Sequence, residues 1–320
     1  MRGLCVGLDG TLWIGSSHSG LYARDPLTGQ ITAYVHDPSA PHSLSENDVL
    51  TVYEDRSGII WVGTFGGGIN RFDPATQFFT HFRHDPTRST SLSNDFVWAF
   101  HEDKLGNLWI GTQGGLNCLP AGSTRDFQHV QEKDGLPNNV IYGILEDQLG
   151  RLWLSTNKGL AAYNPENKQV FSYDKKDGLL SEEFIPNAYV RSPSTGLMYF
   201  GTASGYNAFD PLGFQLDTFA PPVAISALTR YREAEQQTER QVNYFSGQEE
   251  VLTFTYEDNI ITLDVSMLNF RQSHKNKYQY RLQGLQNSWF PLEKEGRITF
   301  TNLQAGRLEK VIRQIRRAHV

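Results

Sequence analysis

Long apolar runs are missing from this chain of 320 residues. Nothing in it approaches the roughly 18 consecutive apolar residues of a membrane-crossing helix. The N-terminal "MRGLCVGLDG" also lacks the apolar centre of a secretory leader. By itself, then, the chain carries no signal that would take it out of the cytoplasm. Cysteine is nearly absent: Cys5 and Cys118 form neither a disulfide framework nor a metal spacing, and they leave the redox compartment open. Positive charge is not in excess. Lys plus Arg number 29 against 35 Asp plus Glu, a formal charge of −6. Nucleic acid is a poor partner for such a balance, because that affinity comes mainly from neutralising phosphates. Helical periodicity is absent from the first two thirds of the chain. Hydrophobic residues at 39%, aromatics at 12% and 29 glycines instead point to a packed β protein.

The usual signatures of chemistry are missing as well. There is no G-x-S-x-G, no C-x-x-C and no H-E-x-x-H. His36, His42, His81, His84 and His101 fall into no compact ligand spacing. The glycines of "GTFGGGIN", from Gly63, lack the strand–loop–helix setting of a phosphate cradle. No residue is therefore assigned to catalysis, to a cofactor or to a metal, no cofactor is expected, and the ligand-binding residues are unknown.

What the chain does have is one sentence written several times. Trp13, Trp61, Trp109 and Trp153 each follow a glycine three residues back: Gly10, Gly58, Gly106 and Gly150. A fifth copy carries Tyr199 after Gly196. The spacings are 48, 48, 44 and 46 residues, in the range of propeller blades. Leu44, Leu92 and Leu136 each stand five before Val49, Val97 and Ile141, and Glu54, Glu102 and Glu146 lie five further on. Within a unit, "IIWVGT", "INRFD", "QFFTHF" and "FVWAFHED" read as short strands separated by glycine and Asp-Pro turns. This reading opens a unit at the tryptophan strand, so the chain is expected to begin inside a blade. One large aromatic per blade is expected to fill the layer between neighbouring sheets. The glycine two after it suits a strand crowded by another backbone, and the glycine three before it suits a turn with positive φ.

The pattern N-D-V-x-x-x-x-E-D-x-x-G-x-x-W-V-G-T-x-x-G-G-x-N-R-F-D-P resembles the two-component regulator propeller repeat. Residues 45–74 match almost throughout and residues 93–119 match well. Residues 137–165 match with Ser155 in place of a glycine, and the fifth copy loses the acidic pair at Val190 and Arg191. After residue 211, "EEVLTFTYEDNIITLDVSMLNF" and "NKYQYRLQGLQNSWF" resemble the triple-tyrosine domain, an immunoglobulin-like β-sandwich. Tyr278, Tyr280, Arg281, Leu282, Gly284 and Trp289 carry the most specific part of that likeness. The alternation of Leu252, Phe254 and Tyr256, and of Ile261, Leu263 and Val265, fits sandwich strands independently. The final "RLEKVIRQIRRAHV" matches nothing in the family. It carries Arg307, Lys310, Arg313, Arg316 and Arg317 against Glu309, and reads either as the end of a truncated or frame-shifted product or as a short amphipathic helix.

The expectation is an all-β chain: a partial β-propeller of about five four-stranded blades, followed by an incomplete immunoglobulin-like β-sandwich. Residues 1–211 form the blades, 212–222 a linker, 223–306 the triple-tyrosine domain, and 307–320 a basic tail. The resemblance implies a non-catalytic sensory region of a bacterial signalling protein. It would lie in the periplasm as part of a membrane-anchored, dimerising parent, with a histidine kinase or diguanylate cyclase as output. An unidentified small molecule, oligosaccharides included, is the implied ligand. The alternatives are a propeller enzyme of the lyase or glycosidase type and a protein-binding scaffold.

Two features bear on that choice. The pairs Glu54–Asp55, Glu102–Asp103 and Glu146–Asp147 recur blade by blade, so they are spread around a ring and cannot converge on one reacting atom. They are expected to hold turns through side-chain to backbone bonds. The D-x-x-G-x-x-W spacing is also one residue longer than the Asp-box of sialidase propellers. The long loops "HDPSAPHSLSEND" and "HDPTRSTSLSND" remain as candidate binding elements. A partial ring leaves blade surfaces bare, so the isolated chain should be poorly soluble and self-associating. Sedimentation and thermal unfolding test this, and a monodisperse monomer with one sharp transition would contradict it.

Overall fold

The computed structural model describes residues 2–213, 223–232, 237–241, 258–267, 277–283, 288–292, 296–301 and 309–315. The chain divides into two compact units, Met1–Gln215 and Leu216–His319.

Four antiparallel sheets of four strands build most of the first unit. They are β1–β4 (Gly3–Val6, Leu12–Gly15, Leu21–Arg24, Ile31–Tyr34) and β5–β8 (Val49–Glu54, Ile60–Thr64, Ile69–Asp73, Phe78–Phe82). Next come β9–β12 (Val97–Glu102, Leu108–Thr112, Gly115–Leu119, Gln128–Val130) and β13–β16 (Ile141–Glu146, Leu152–Thr156, Gly159–Asn164, Gln169–Tyr173). A fifth sheet has three strands, β17–β19 (Phe184–Arg191, Met198–Thr202, Gly205–Phe209). Every sheet is a meander, with strands in chain order.

The strands expected in the first four sheets are present, the fifth sheet has three strands where four were expected, and the grouping needs a correction. The strand before each tryptophan opens its own sheet and does not close the preceding one. β5 pairs with β6 from Val49↔Thr64 to Glu54↔Ile60. The reason is local: a tight turn at Asp55–Gly58 joins β5 to β6, whereas the long loop 83–96 separates β8 from β9. A tight turn makes a hairpin and a long loop crosses to the next sheet. By the same rule Gly3–Val6 is the first strand of a full sheet, so the chain does not begin inside a blade.

Strands such as β6 are buried at every position because both faces are covered. Ile60 and Val62 pack with Trp13, Leu21 and Val49 towards the first sheet, while Trp61 packs with Leu92, Val97 and Phe100 of the third. The expected role of the aromatic holds around the arc. Trp13 meets Phe72 at 5.6 Å, Trp109 meets Tyr163 at 5.8 Å and Trp153 meets Phe209 at 4.8 Å between ring centroids, each partner lying in the next sheet. Burying one such side chain contributes about 1.5–3 kcal/mol. The glycine two after the tryptophan is needed for close approach: a Cβ on Gly63 would stand 2.9 Å from the Val97 carbonyl oxygen, and one on Gly111 2.8 Å from that of Ile141. At the two ends of the arc the apolar faces are bare. Leu4 and Val6 are exposed on the first sheet, and Val190 and Tyr206 on the fifth.

The innermost strands β5, β9 and β13 share one irregularity. Their ladders skip a single residue, Leu50, Trp98 and Tyr142 respectively. Such a bulge leaves the extra residue unpaired and re-aims its side chain. In β17 the bulge widens to residues 185–188. Asn187 sits there at φ 59°, and its amide donates to the carbonyls of Arg2 at 3.0 Å and Leu50 at 3.1 Å. The fifth sheet thereby reaches across the centre of the arc to the first two.

The second unit holds two sheets. One orders its strands β21-β20-β22-β25 (Gln237–Gln241, Val223–Arg232, Asp258–Met267, Arg297–Thr301), the other β24-β23-β26 (Phe290–Leu292, Lys277–Gln283, Glu309–Ile315). Ile225, Leu228, Ile261, Leu263, Val265 and Ile298 form a cluster against which Tyr280 and Leu292 of the second sheet pack. The alternation of Ile261, Leu263 and Val265 is therefore a buried face, while Leu252, Phe254, Tyr256 and Gly284 lie outside the described residues. Tyr278 and Leu282 take ladder positions in β23, opposite Leu292 and Lys310, and the Arg281 guanidinium lies 5.0 Å from the Trp289 ring centroid. The tail corrects the expectation of a helix. Glu309–Ile315 is a strand paired with β23 from Gln283↔Glu309 to Lys277↔Ile315. A free strand edge supplies backbone partners that a short isolated helix cannot match, and Val and Ile suit the strand. Arg307, Arg316 and Arg317 lie outside the described residues.

In the second, third and fifth sheets an asparagine ties the incoming loop to its sheet, and the copy in the fifth is incomplete. Asn70 accepts from the Ser45 amide and donates to the Ser45 hydroxyl, and Asn117 does the same with Ser93. Asn207 accepts from the Leu180 amide at 2.8 Å, but its Nδ2 is buried without a partner because Leu180 has no hydroxyl. Leu180→Ser should therefore stabilise the fold by about 1 kcal/mol, as an added hydrogen bond does. Urea unfolding of the variant measures this, and unchanged or lower stability would show that the orphan amide is satisfied otherwise.

Candidate functional site

Three places on the first unit bear polar chemistry: the rim of tight turns, the opposite rim of long loops, and the centre between the innermost strands. On the turn rim the aspartates do what the sequence suggests. Asp55 Oδ1 accepts from the amides of Ser57 and Ile59, and Oδ2 accepts from Trp61 Nε1 at 2.7 Å. Asp103 repeats this with Leu105, Asn107 and Trp109, and Asp147 with Leu149, Arg151 and Trp153. One carboxylate thus closes the turn and fixes the rotamer of the indole that fills the next layer. Burial tends to raise the Asp103 pKa, but hydrogen bonds from Trp109, Asn107 and Leu105 outweigh it and hold the group below its ordinary value. Asp147 is fully buried against Arg151, whose Nε donates to it at 2.7 Å and whose Nη2 reaches the Pro211 carbonyl at 2.6 Å.

The glutamates do something the sequence did not reveal. Glu54 Oε2 accepts from the Leu8 amide at 2.6 Å and Glu102 Oε2 from the Arg56 amide at 2.8 Å. Each glutamate grips the turn of the preceding sheet. Arg56 reinforces the joint by donating to the carbonyls of Glu102 and Asp103. At the next joint Lys104 reaches the Gln148 carbonyl at 3.2 Å. In the fifth sheet the pairing Val190↔Tyr199 equals Tyr53↔Trp61, so the places of the acidic pair fall at Arg191 and Ser192, one residue later than direct counting gives. A turn one residue longer, closed by Ser192 and Leu197, causes the offset.

On the loop rim, the two candidate loops use their polar side chains on themselves. Asp37 accepts from the amide and hydroxyl of Ser39, and Asp85 from those of Thr87. His36 Nδ1 donates to the Leu44 carbonyl at 2.8 Å and His84 Nδ1 to that of Leu92 at 2.7 Å. His81 and His129 donate from Nε2 to the carbonyls of Ser43 and Ser91. His42 stacks on Phe78. The next two loops carry a different repeat that went unread, Lys133-Asp134-Gly135-Leu136 and Lys176-Asp177-Gly178-Leu179. Each makes a single 3-10 turn closed by a left-handed glycine. No cluster of three or more His, Cys, Asp or Glu suited to a metal exists among the described residues.

Cavities open at two of these places. One, of about 460 Å³, is lined by Asn138, Asn157, Lys158, Lys175, Glu182 and Glu183 on the loop rim. The other, of about 450 Å³, lies at the centre and is lined by Arg2, Leu50, Trp98, Ile185, Pro186 and Asn187. Trp98 Nε1 is buried without a hydrogen-bond partner.

Comparison with known proteins agrees with this architecture. The family model of the two component regulator propeller matches residues 43–66, 91–114 and 135–158. The chain thus carries two-component regulator propeller repeats. Each matched segment holds the end of a long loop, an innermost strand, the aspartate turn and the tryptophan strand. Histidine kinase P4 of Formosa agariphila is 28% identical over 140 residues, 41% of this chain and 10% of its own length. Among solved structures, the extracellular domain of BT3049 of B. thetaiotaomicron, described as a hybrid two component system, is 28% identical with a TM-score of 0.75, covering 100% of this chain and 42% of that one. The extracellular domain of BT4673 from the same organism shares the fold at 22% identity and a TM-score of 0.52, covering 99% of this chain and 53% of that one. The chain therefore spans a tenth of the kinase and less than half of the BT3049 domain. No helix among the described residues is long and apolar enough to cross a membrane.

One joint on the turn rim responds to pH. His101 Nε2 lies 3.2 Å from Glu146 Oε2 in the next sheet. Burial, the largest influence, favours the neutral ring and outweighs the pull of Glu146, so the folded pKa lies below the ordinary 6.5. His81 is lowered for the same reason. The unfolded chain then takes up these protons first, so stability is full above the ordinary value and declines as pH falls through it towards the folded one. The urea midpoint should drop between about pH 7 and pH 5.5, and His101→Gln should flatten part of that drop. An unchanged pH slope in His101→Gln would show that the ring titrates alike in both states.

Proposed function

We propose that the chain is a non-catalytic sensory region of a bacterial signal-transduction protein. The blades receive the stimulus. The second unit, read as a triple-tyrosine β-sandwich, relays it to a membrane-linked output module outside this chain. The observation that carries the reading is the likeness at 28% identity, over all of this chain, to an extracellular domain described as belonging to a hybrid two component system. The kinase relative supports a histidine kinase as the output, with a diguanylate cyclase as the alternative. On this reading the region works in the periplasm, as part of a membrane-anchored parent that dimerises, and its ligand is a small molecule such as an oligosaccharide. The use of the repeated carboxylates supports binding over chemistry, since they are engaged with turn amides and indoles at separate points of the rim. A ligand can drive an output only by binding one arrangement of the protein more tightly than another.

Thermal shift of the purified chain against a panel of oligosaccharides and sugar acids, with chromatography of the same mixtures, tests this reading. A receptor should be stabilised by one chemical class, by about 2.7 kcal/mol when ligand stands at a hundred times Kd, and the ligand should be recovered unchanged. Depolymerised or eliminated product would move the protein to the propeller enzymes. Capture of a protein partner with no small-molecule shift would make it a scaffold.

A further inference from the structure

The ladder positions on either side of the bulges are alike from sheet to sheet, but the ejected residues are not. Val49, Val97 and Ile141 precede the bulges as equivalent β-branched residues, each buried. The residues turned out are Leu50, Trp98 and Tyr142, and Ile185 starts the wider bulge of the fifth sheet. Packing between sheets fixes the first set. It constrains the second less: Leu50, Trp98 and Ile185 belong to none of the apolar clusters between sheets, and Tyr142 packs only at the edge of the one between the fourth and fifth. Three of these four residues, Leu50, Trp98 and Ile185, line the central cavity together with Pro186, and Tyr142 packs edge-on against Trp98 at 5.4 Å.

The same cavity has a polar side. Arg2 lines it with a side chain that is 40% exposed and whose Nη1 lies 3.3 Å from Asp48 Oδ1. Asp48 also lies 3.8 Å from His18 Nδ1. Asn187 holds the backbone under both ends of the cavity through its bonds to the Arg2 and Leu50 carbonyls. It does so from a left-handed conformation, which costs a non-glycine residue about 1–2 kcal/mol. Asparagine bears this better than most residues. Trp98 lines the cavity while its indole N–H has no acceptor in the protein. A cavity of about 450 Å³ matches the size of small-ligand sites.

We propose that this central cup binds a small carboxylate with an apolar ring face, the ring lying against Trp98, Leu50 and Ile185 and the carboxylate meeting the Arg2 guanidinium. Arg2 has five N–H donors, more than Asp48 engages. An apolar wall beside one cation selects a molecule that is flat and greasy on one side and anionic at one end. Aromatic acids and sugar acids both have this form. The inference rests on the reading of the blades as the stimulus-receiving part and names where the stimulus enters.

Calorimetric titration of the full chain with benzoate and glucuronate, each beside its neutral counterpart, benzyl alcohol or glucose, tests the cup and separates the two ligand sources. At least one acid should bind at least tenfold more tightly than its neutral partner. Arg2→Ala should abolish that preference and Arg2→Lys should keep part of it. Trp98→Ala should weaken the acid by fivefold or more. Trp98→Phe guards against a folding defect, and it should bind more tightly than Trp98→Ala at equal thermal stability. If neither acid binds, or if the bound acid ignores both substitutions, the cup is overturned. A different ligand that stabilises the Arg2→Ala, Trp98→Ala chain as well as the wild type would leave the receptor reading standing and remove only this site. Turnover of the bound acid would do the reverse.

Discussion

A thin sheet with two apolar faces cannot stand alone in water, and the first unit is organised around that constraint. β6 is buried at all of its positions, as are β10 and β14. Each sheet needs a neighbour on both sides, so the next sheet must come round at a constant angle. The indole is the device that sets the gap. It is too large to fit within its own sheet and reaches into the next, where Phe72, Tyr163 and Phe209 receive it. In the second, third and fourth sheets an aspartate bonded to the indole nitrogen fixes the rotamer that makes this reach.

Charge is used in the same service. Two acidic residues side by side invite a catalytic reading, and their repetition argues against it. The structure divides their labour: the aspartate acts within a sheet and the glutamate between sheets. Glu54 and Glu102 accept amide protons from turns that would otherwise present unpaired donors at the joint. Where the glutamate is replaced, the joint changes partner and keeps its purpose, since Arg191 donates to the Glu146 carbonyl.

Much of this was legible in the sequence, and what was hidden was hidden for physical reasons. The period, the strands, the turn glycines and the inter-sheet aromatic all follow from local composition. The starting point of a sheet does not, because a cyclic repeat looks the same from any phase; only the contrast between the tight turn after Glu54 and the long loop after Phe82 breaks the tie. The glutamate clasp was invisible because its partner lies 46 residues away, at the amide of Leu8 or Arg56. The strand in the tail was hidden, and a short helix stood as one of two readings, because seven residues with spaced basic groups suit either structure until a strand edge is offered. The central cup was the least legible part. A bulge leaves no mark in the hydrophobic pattern, and Trp98 in "FVWAFHED" reads as one more core aromatic.

The fifth sheet concentrates the departures from the repeat. It has Tyr199 for tryptophan, Arg191 and Ser192 for the acidic pair, an unpaired Asn207 amide and the widened bulge with Asn187. These belong together. Tyr199 and Val190 lie on the side of the sheet away from the fourth, where no following sheet among the described residues needs an indole or its aspartate. Relieved of that duty, the sheet can lengthen its innermost strand into the centre and tie the Arg2 and Leu50 backbones there. The repeat is therefore kept where neighbouring sheets constrain it and broken where the constraint lapses, and the break is what furnishes the centre of the arc with unlike side chains.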